Sequence, residues 1–143
     1  MTDTIDNKYV VFKLEKEYYG IPISKVISIE KMEASTRIPN APNHVKGVIN
    51  LRGEVIPVID LRLKLNMESK EINNNTRIII VSDEDILAGL IVDSSSEVIE
   101  IDKENIDNTP VSPDNEYLSY VCGIGKLTDR LIILLEPLKI LEY

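Results

Sequence analysis

The sequence predicts a mostly β chain built from two similar halves. Short runs rich in Val, Ile and Leu recur along it, each broken by glycine or by a cluster of charge, the pattern of strands joined by tight turns. No long stretch carries the 3.6-residue apolar spacing of an amphipathic helix. The chain also nearly repeats. Setting Gly47 on Gly123 without gaps places Val48 on Ile124, Leu51 on Leu127, Val55 on Leu131, Ile56 on Ile132 and Asp60 on Glu136. Residues 18–21 likewise echo 87–90, and Val26 to Ile29 echo Val98 to Ile101. Two halves of about five short strands each fit a small barrel or sandwich.

The elements follow in order. Residues 1–8 are polar and form a flexible lead. Residues 9–14 (YVVFKL) and 18–21 pair across the polar turn Glu15-Lys16-Glu17, and Pro22 opens one helical turn. Residues 26–30 alternate as a half-exposed strand, and 37–42 are extended because residues before proline avoid helix. Asn43 is expected to cap a helical turn leading to Gly47. Residues 48–51 and 55–59 form a hairpin whose tip carries Arg52-Gly53-Glu54, with Gly53 supplying a positive φ. Asp60 caps a short turn. The polar, Asn-rich stretch 64–75 reads as a mobile loop between the halves.

Residues 76–82 and 86–92 make a second hairpin over Asp83-Glu84-Asp85. Ser94-Ser95-Ser96 breaks the chain before the strand 97–101, and 102–115 is irregular. Residues 117–127 and 131–135 form the last hairpin, and 136–143 a short terminal helix with Pro137 at its start.

The totals narrow the function. The 24 acidic and 16 basic residues leave a net charge of −8, which argues against nucleic acid and against docking on anionic lipid. The single cysteine, Cys122, cannot close an internal disulfide and fits a reducing cytosol. No signal core or membrane-length apolar run is present. The expectation is a soluble cytoplasmic protein.

Catalytic and metal readings lack their residues. His44 is the sole histidine and reads as an exposed turn residue, while Cys122 reads as a small packing residue. One His and one Cys cannot build a zinc site. Asp83-Glu84-Asp85 lacks calcium-loop spacing, and Gly123-x-Gly125 lacks the rest of a dinucleotide fingerprint. No catalytic residue, cofactor or metal is assigned. A binding module is the expected class, with Arg52 at the tip of an apolar hairpin as its main candidate anchor.

Asn50-Leu51-Arg52-Gly53, then Pro57, then Asp60-Leu61-Arg62 also resemble the signature of the CheW family of chemotaxis coupling proteins. Tyr19-Gly20-Ile21, residues 36–42, Gly89-Leu90-Ile91-Val92-Asp93 and Gly123-Ile124-Gly125-Lys126-Leu127 extend the likeness over residues 9–141. The resemblance implies a single domain of two intertwined five-stranded SH3-like β-barrel subdomains sharing a hydrophobic core, with a short C-terminal helix. It implies a non-catalytic adaptor, monomeric alone, that links the cytoplasmic tip of methyl-accepting chemotaxis receptors to the histidine kinase CheA in arrays at the inner face of the membrane. It assigns Val26, Asn50, Arg52, Gly53 and Val98 to receptor binding, and Gly47 to kinase binding. Two positions depart from the pattern: Ser28 where glutamate is frequent, and Ser94 where glycine commonly follows Val-Asp. The initiator Met and the intact Asn-Leu-Arg-Gly speak against the alternative of a CheA regulatory domain. The lack of a receiver-like repeat speaks against a CheV-type protein, and the acidic charge against a small-barrel nucleic-acid binder.

Overall fold

The computed structural model describes residues 7–32, 36–37, 39–108 and 119–142. Among the described residues eleven strands form two sheets. The first three are β1 (Lys8–Leu14), β2 (Glu17–Pro22) and β3 (Val26–Lys31); β4 (Val45–Leu51), β5 (Glu54–Asp60), β6 (Arg77–Asp83) and β7 (Ile86–Val92) follow. The last four are β8 (Ser94–Glu100), β9 (Ile106–Asp107), β10 (Val121–Lys126) and β11 (Leu131–Leu135). Helix α1 (Leu61–Lys64) follows β5, and helix α2 (Pro137–Leu141) follows β11. One sheet runs β3-β6-β7-β5-β4, the other β8-β1-β2-β11-β10-β9. The first two strands therefore belong with the last four.

The two sheets share one plan. Each holds a single parallel pair, β5 with β7 and β2 with β11. In these pairs Val58 faces Gly89 and Leu134 faces Gly20, the partners that the sequence repeat predicts. A register shift falls between Val45 and Gly47 in one half and between Val121 and Gly123 in the other. The capping repeats too. The Asp60 carboxylate accepts from the Leu63 N–H, and the Glu136 carboxylate from the Leu138 N–H, each at 3.4 Å. The same residues' amides donate to the carbonyls of His44 and Tyr120.

Alternation along the strands explains the layering. Val10, Phe12 and Leu14 of β1 meet Ile79 and Val81 of β6 in a core shared by both sheets. The intervening Val11 enters a smaller cluster with Ile101, Ile132 and Leu134, while Ile78 and Ile80 enter another with Ile49, Ile56 and Val58. Both faces of the central strands are thus dry, which is why their sequences are continuous apolar runs.

Several expectations need correction. The sheets have six and five strands and are not closed barrels. Each hairpin instead bends back to the far edge strand of its own sheet through side-chain charge: Arg52 lies 4.0 Å from Glu30 on β3, and Arg130 pairs with Glu97 on β8. Residues 65–76 join β5 and α1 to β6 of the same sheet, so they do not separate two halves. The helical turn expected at Asn43 is replaced by strand from Val45, because Val45 pairs with Ile59 beyond the bulge. Ser94 and Ser95 extend β8 along Lys13 and Phe12, where an available ladder outweighs weak strand propensity. A two-residue strand, β9, was hidden in the irregular stretch. The start of the strand expected at residue 117 lies outside the described residues.

Arg62 ties the sheets together. Its side chain is buried and bidentate on Asp93: Nε donates to Oδ1 at 2.7 Å and Nη2 to Oδ2 at 2.6 Å. Nη1 donates to Glu15 Oε1 at 2.6 Å and to the Glu68 carbonyl at 3.1 Å. Asp93 also accepts the Glu15 N–H at 2.8 Å. Burial pushes the Asp93 carboxyl up, but the Arg62 hydrogen bonds and the Glu15 amide outweigh it and hold the acid below its ordinary value of 3.8.

Arg62→Ala strips the largely buried Asp93 carboxylate of its main partner and is expected to cost about 3 kcal/mol in denaturant unfolding. Because the folded Asp93 pKa is depressed, its contribution is full above the ordinary value of 3.8 and is lost as pH falls through the lower folded value. A stability–pH profile of Asp93→Asn should lack that acid limb. Ile56 and Ile132, at matching places and both buried, should each cost about 2–5 kcal/mol when cut to Ala.

Candidate protein-interaction surface

The tip of the β4–β5 hairpin is a two-residue loop between paired Leu51 and Glu54. Arg52 (φ 53°) and Gly53 (φ 85°) both adopt left-handed backbone, the requirement of the turn type that matches strand twist. Asn50 holds the loop from within, its Oδ1 accepting the Gly53 N–H at 3.0 Å. A Cβ at Gly53 would meet no atom within 4 Å, so its constraint is conformational alone. The positive φ of Arg52 escaped the sequence reading. It is a hairpin device, shared by Glu84 and Asp85 at the β6–β7 turn. Its effect is to fix the origin of a guanidinium whose side chain is 76% exposed. The 4.0 Å approach to Glu30 is loose, and a pair this exposed contributes little to stability.

Gly47 differs in kind. It is buried, with φ 149°, and a Cβ there would lie 2.2 Å from the Thr36 carbonyl oxygen. Thr36 and Val48 exchange backbone hydrogen bonds at 2.8 Å on that spot. Gly47 therefore reaches the surface only through the segment it lets approach.

The edge strand β3 has its faces inverted. Ile27 is 59% exposed and Ile29 also faces solvent, while Ser28 and Glu30 turn inward. Val26 is half-buried against the shared core. Val98 is 52% exposed on β8, the edge strand of the other sheet. The ladders correct the echo between Val26 and Val98: Ile29 faces Ile79 as Val98 faces Val10, so Val98 corresponds to Ile29. The bulge after Val26 and the different connections into β3 and β8 had displaced the match by three residues. Ile29 with Val98, and Val55 with Leu131, are then two pairs of apolar side chains exposed at equivalent places. The gapless alignment already joined Val55 to Leu131. Ile27 and Ile29 were missed because alternation alone does not say which face is wet.

The structure brings Asn50, Arg52 and Gly53 together beside Glu30 and places Val26 on the same sheet, with Val98 on the other. Two other residues depart from expectation. Cys122 is exposed at the β10 bulge rather than packed, and desolvation of the thiol and then Glu136 push its pKa up. His44 is half-buried, its pKa lowered by burial and by Lys64. Among the described residues no group of three or more His, Cys, Asp or Glu could hold a metal ion. No helix among them is long and apolar enough to cross a membrane.

Two sheets over one core, with apolar side chains exposed on their edge strands and a charged hairpin tip, define a β-sheet protein with a candidate binding surface. The family comparison gives that class its place. The model of the CheW-like domain matches residues 8–143. The chemotaxis protein CheW of Helicobacter pylori is 40% identical over 136 residues, spanning 94% of this chain and 81% of that protein. Its counterpart from Bacillus subtilis is 38% identical, spanning 94% and 86%. A crystal structure of the scaffolding protein TtCheW from Thermoanaerobacter tengcongensis superposes with a TM-score of 0.84 at 40% identity, covering 92% of this chain and 89% of that one. The chain belongs to the CheW family and is an adaptor, not an enzyme.

Gly47→Ala forces the Thr36 backbone away and is expected to destabilise by about 1–3 kcal/mol, with shifted amide resonances at Thr36 and Val48. Gly53→Ala meets no neighbour and should cost only about 1 kcal/mol, through φ.

Proposed function

We propose that this protein couples the cytoplasmic tip of methyl-accepting chemotaxis receptors to the histidine kinase CheA. The observation that carries the reading is β3: an edge strand among the described residues that turns Ile27 and Ile29 to solvent beside a conformationally fixed Arg52. Exposed apolar side chains with a fixed guanidinium are the makings of a protein interface. A guanidinium offers a planar fork of donors, suited to carboxylates or carbonyls at a helical receptor tip. Val26, Asn50, Arg52, Gly53 and Val98 are assigned to the receptor, with Ile29 joining them by its match to Val98. Gly47 is assigned to the kinase side, acting through the position of Thr36. The kinase's CheW-like regulatory domain would meet this chain sheet to sheet. Holding both partners at once raises their effective concentration, and receptor state can then bias the kinase. The protein would work in the cytoplasm, recruited to receptor arrays.

Arg52→Ala should leave unfolding stability within about 0.5 kcal/mol of wild type. It should weaken association with a soluble receptor-tip fragment by about 1–4 kcal/mol, tenfold or more in Kd. Titration with the CheA regulatory domain should be unchanged. A variant that melts early, or that binds receptor at wild-type strength, sinks the assignment.

A further inference from the structure

We infer a second docking surface, at the end of β3 and β6 where Lys31 meets Arg77, that takes an acidic amphipathic segment of a partner protein. It does not depend on the receptor assignment above. Lys31 and Arg77 face each other in the antiparallel β3–β6 pair. Like charges directly opposite on a ladder repel. Arg77 is partly engaged, its Nη1 donating to the carbonyls of Asn74 and Thr76 at 2.8 and 2.9 Å. Those contacts fix its position and leave the guanidinium without a counter-charge among the described residues.

A cleft of about 420 Å³ opens beside the pair, lined by Lys31, Met32, Ile72 and Arg77 with the asparagine turn. It adjoins a second of about 300 Å³, which shares Met32 and Ile72 and adds Ile91, Lys46 and Lys70. Ile72 is 58% exposed. The backbone around it is anchored on either side. Ser69 Oγ donates to Asp60 Oδ2 at 2.8 Å, and the Asn73 N–H donates to Thr76 Oγ1 at 3.0 Å. Ile72 is thus presented to solvent by tethered chain.

Charge decides the occupant. In a protein of net charge −8, Lys31, Lys46, Lys70 and Arg77 gather around Met32, Ile72 and Ile91. The first cleft carries Lys31 and Arg77 with no acid on its described lining, while on the second Lys46 and Lys70 stand beside Asp60 and Glu71, and Lys70 also lies 3.9 Å from Asp93. Carboxylates from a partner would relieve the Lys31–Arg77 repulsion, and aliphatic side chains on the same segment would cover Ile72. A free anion would leave the apolar floor wet. The occupant therefore carries both.

The test titrates the isotope-labelled full chain with a short capped peptide of glutamate and leucine at helical spacing, followed by amide resonances. Shifts should centre on Lys31, Ile72 and Arg77, weaken with added salt, and be absent with the lysine–leucine counterpart. Lys31→Glu and Ile72→Ser, both at exposed positions, should each weaken the peptide about tenfold with no loss of stability. Absence of shifts with the acidic peptide overturns the inference. So does equal binding of the basic one, or a response at these residues to phosphatidylserine vesicles and not to the peptide.

Discussion

Arg62 leaves helix α1 at the end of the five-stranded sheet and gives its guanidinium to groups of the other. Asp93 sits where β7 gives way to β8, and Glu15 sits in the β1–β2 turn. A buried guanidinium is tolerated only when its donors are matched, and here one carboxylate takes two of them, while a second carboxylate and a carbonyl take one each. That demand orients three chain segments at once. It also accounts for the positive φ of Glu15, which lets one residue offer both its amide to Asp93 and its carboxylate to Arg62. The apolar core joins the sheets without direction, whereas this cluster sets their register.

Duplication supplies the rest of the order. Matched bulges at Lys46 and Cys122, matched caps at Asp60 and Glu136, and matched parallel pairs at Gly89 and Gly20 show two copies of one folding unit. The copies diverge at their closing contacts. One hairpin reaches its edge strand through exposed Arg52 and Glu30. The other does so through Arg130, which pairs with Glu97 and lies 4.5 Å over the Tyr18 ring. The second is pinned into the structure while the first is left available. The copy whose arginine is exposed also turns isoleucines outward on its edge strand.

Much of this was readable in the residues. Strands β1, β2, β5, β6, β7 and β11 announced themselves because their central residues are mostly apolar and buried on both faces. The Gly53 turn and the Asp60 cap followed from local chemistry. What escaped reading depended on partners distant in sequence. Ser94 and Ser95 become strand because β1 offers them a ladder. The wet face of β3 depends on which side β6 and the core lie. Arg62 gave no local sign of its role, since Asp93 and Glu15 come from remote parts of the chain. Of the candidate surface, Asn50, Arg52 and Gly53 were legible as a turn, while Ile27 and Ile29 needed the sheet.

The pairing of β1 and β2 with β8 and β11 has a consequence for synthesis on the ribosome. Strands β3 to β7 are contiguous, so their sheet can close while the remainder is still being made. The first hairpin emerges earliest, yet its neighbours arrive last. Until β8 appears, β1 and β2 have no neighbour but each other, and β2 waits further for β11, so their apolar residues stay uncovered through most of translation. Such delayed, long-range pairing slows folding and exposes strand edges to misassociation. A circular permutant beginning at β3 and carrying β1–β2 behind α2 would give both sheets contiguous chain. It would turn the most non-local part of this topology into a local one.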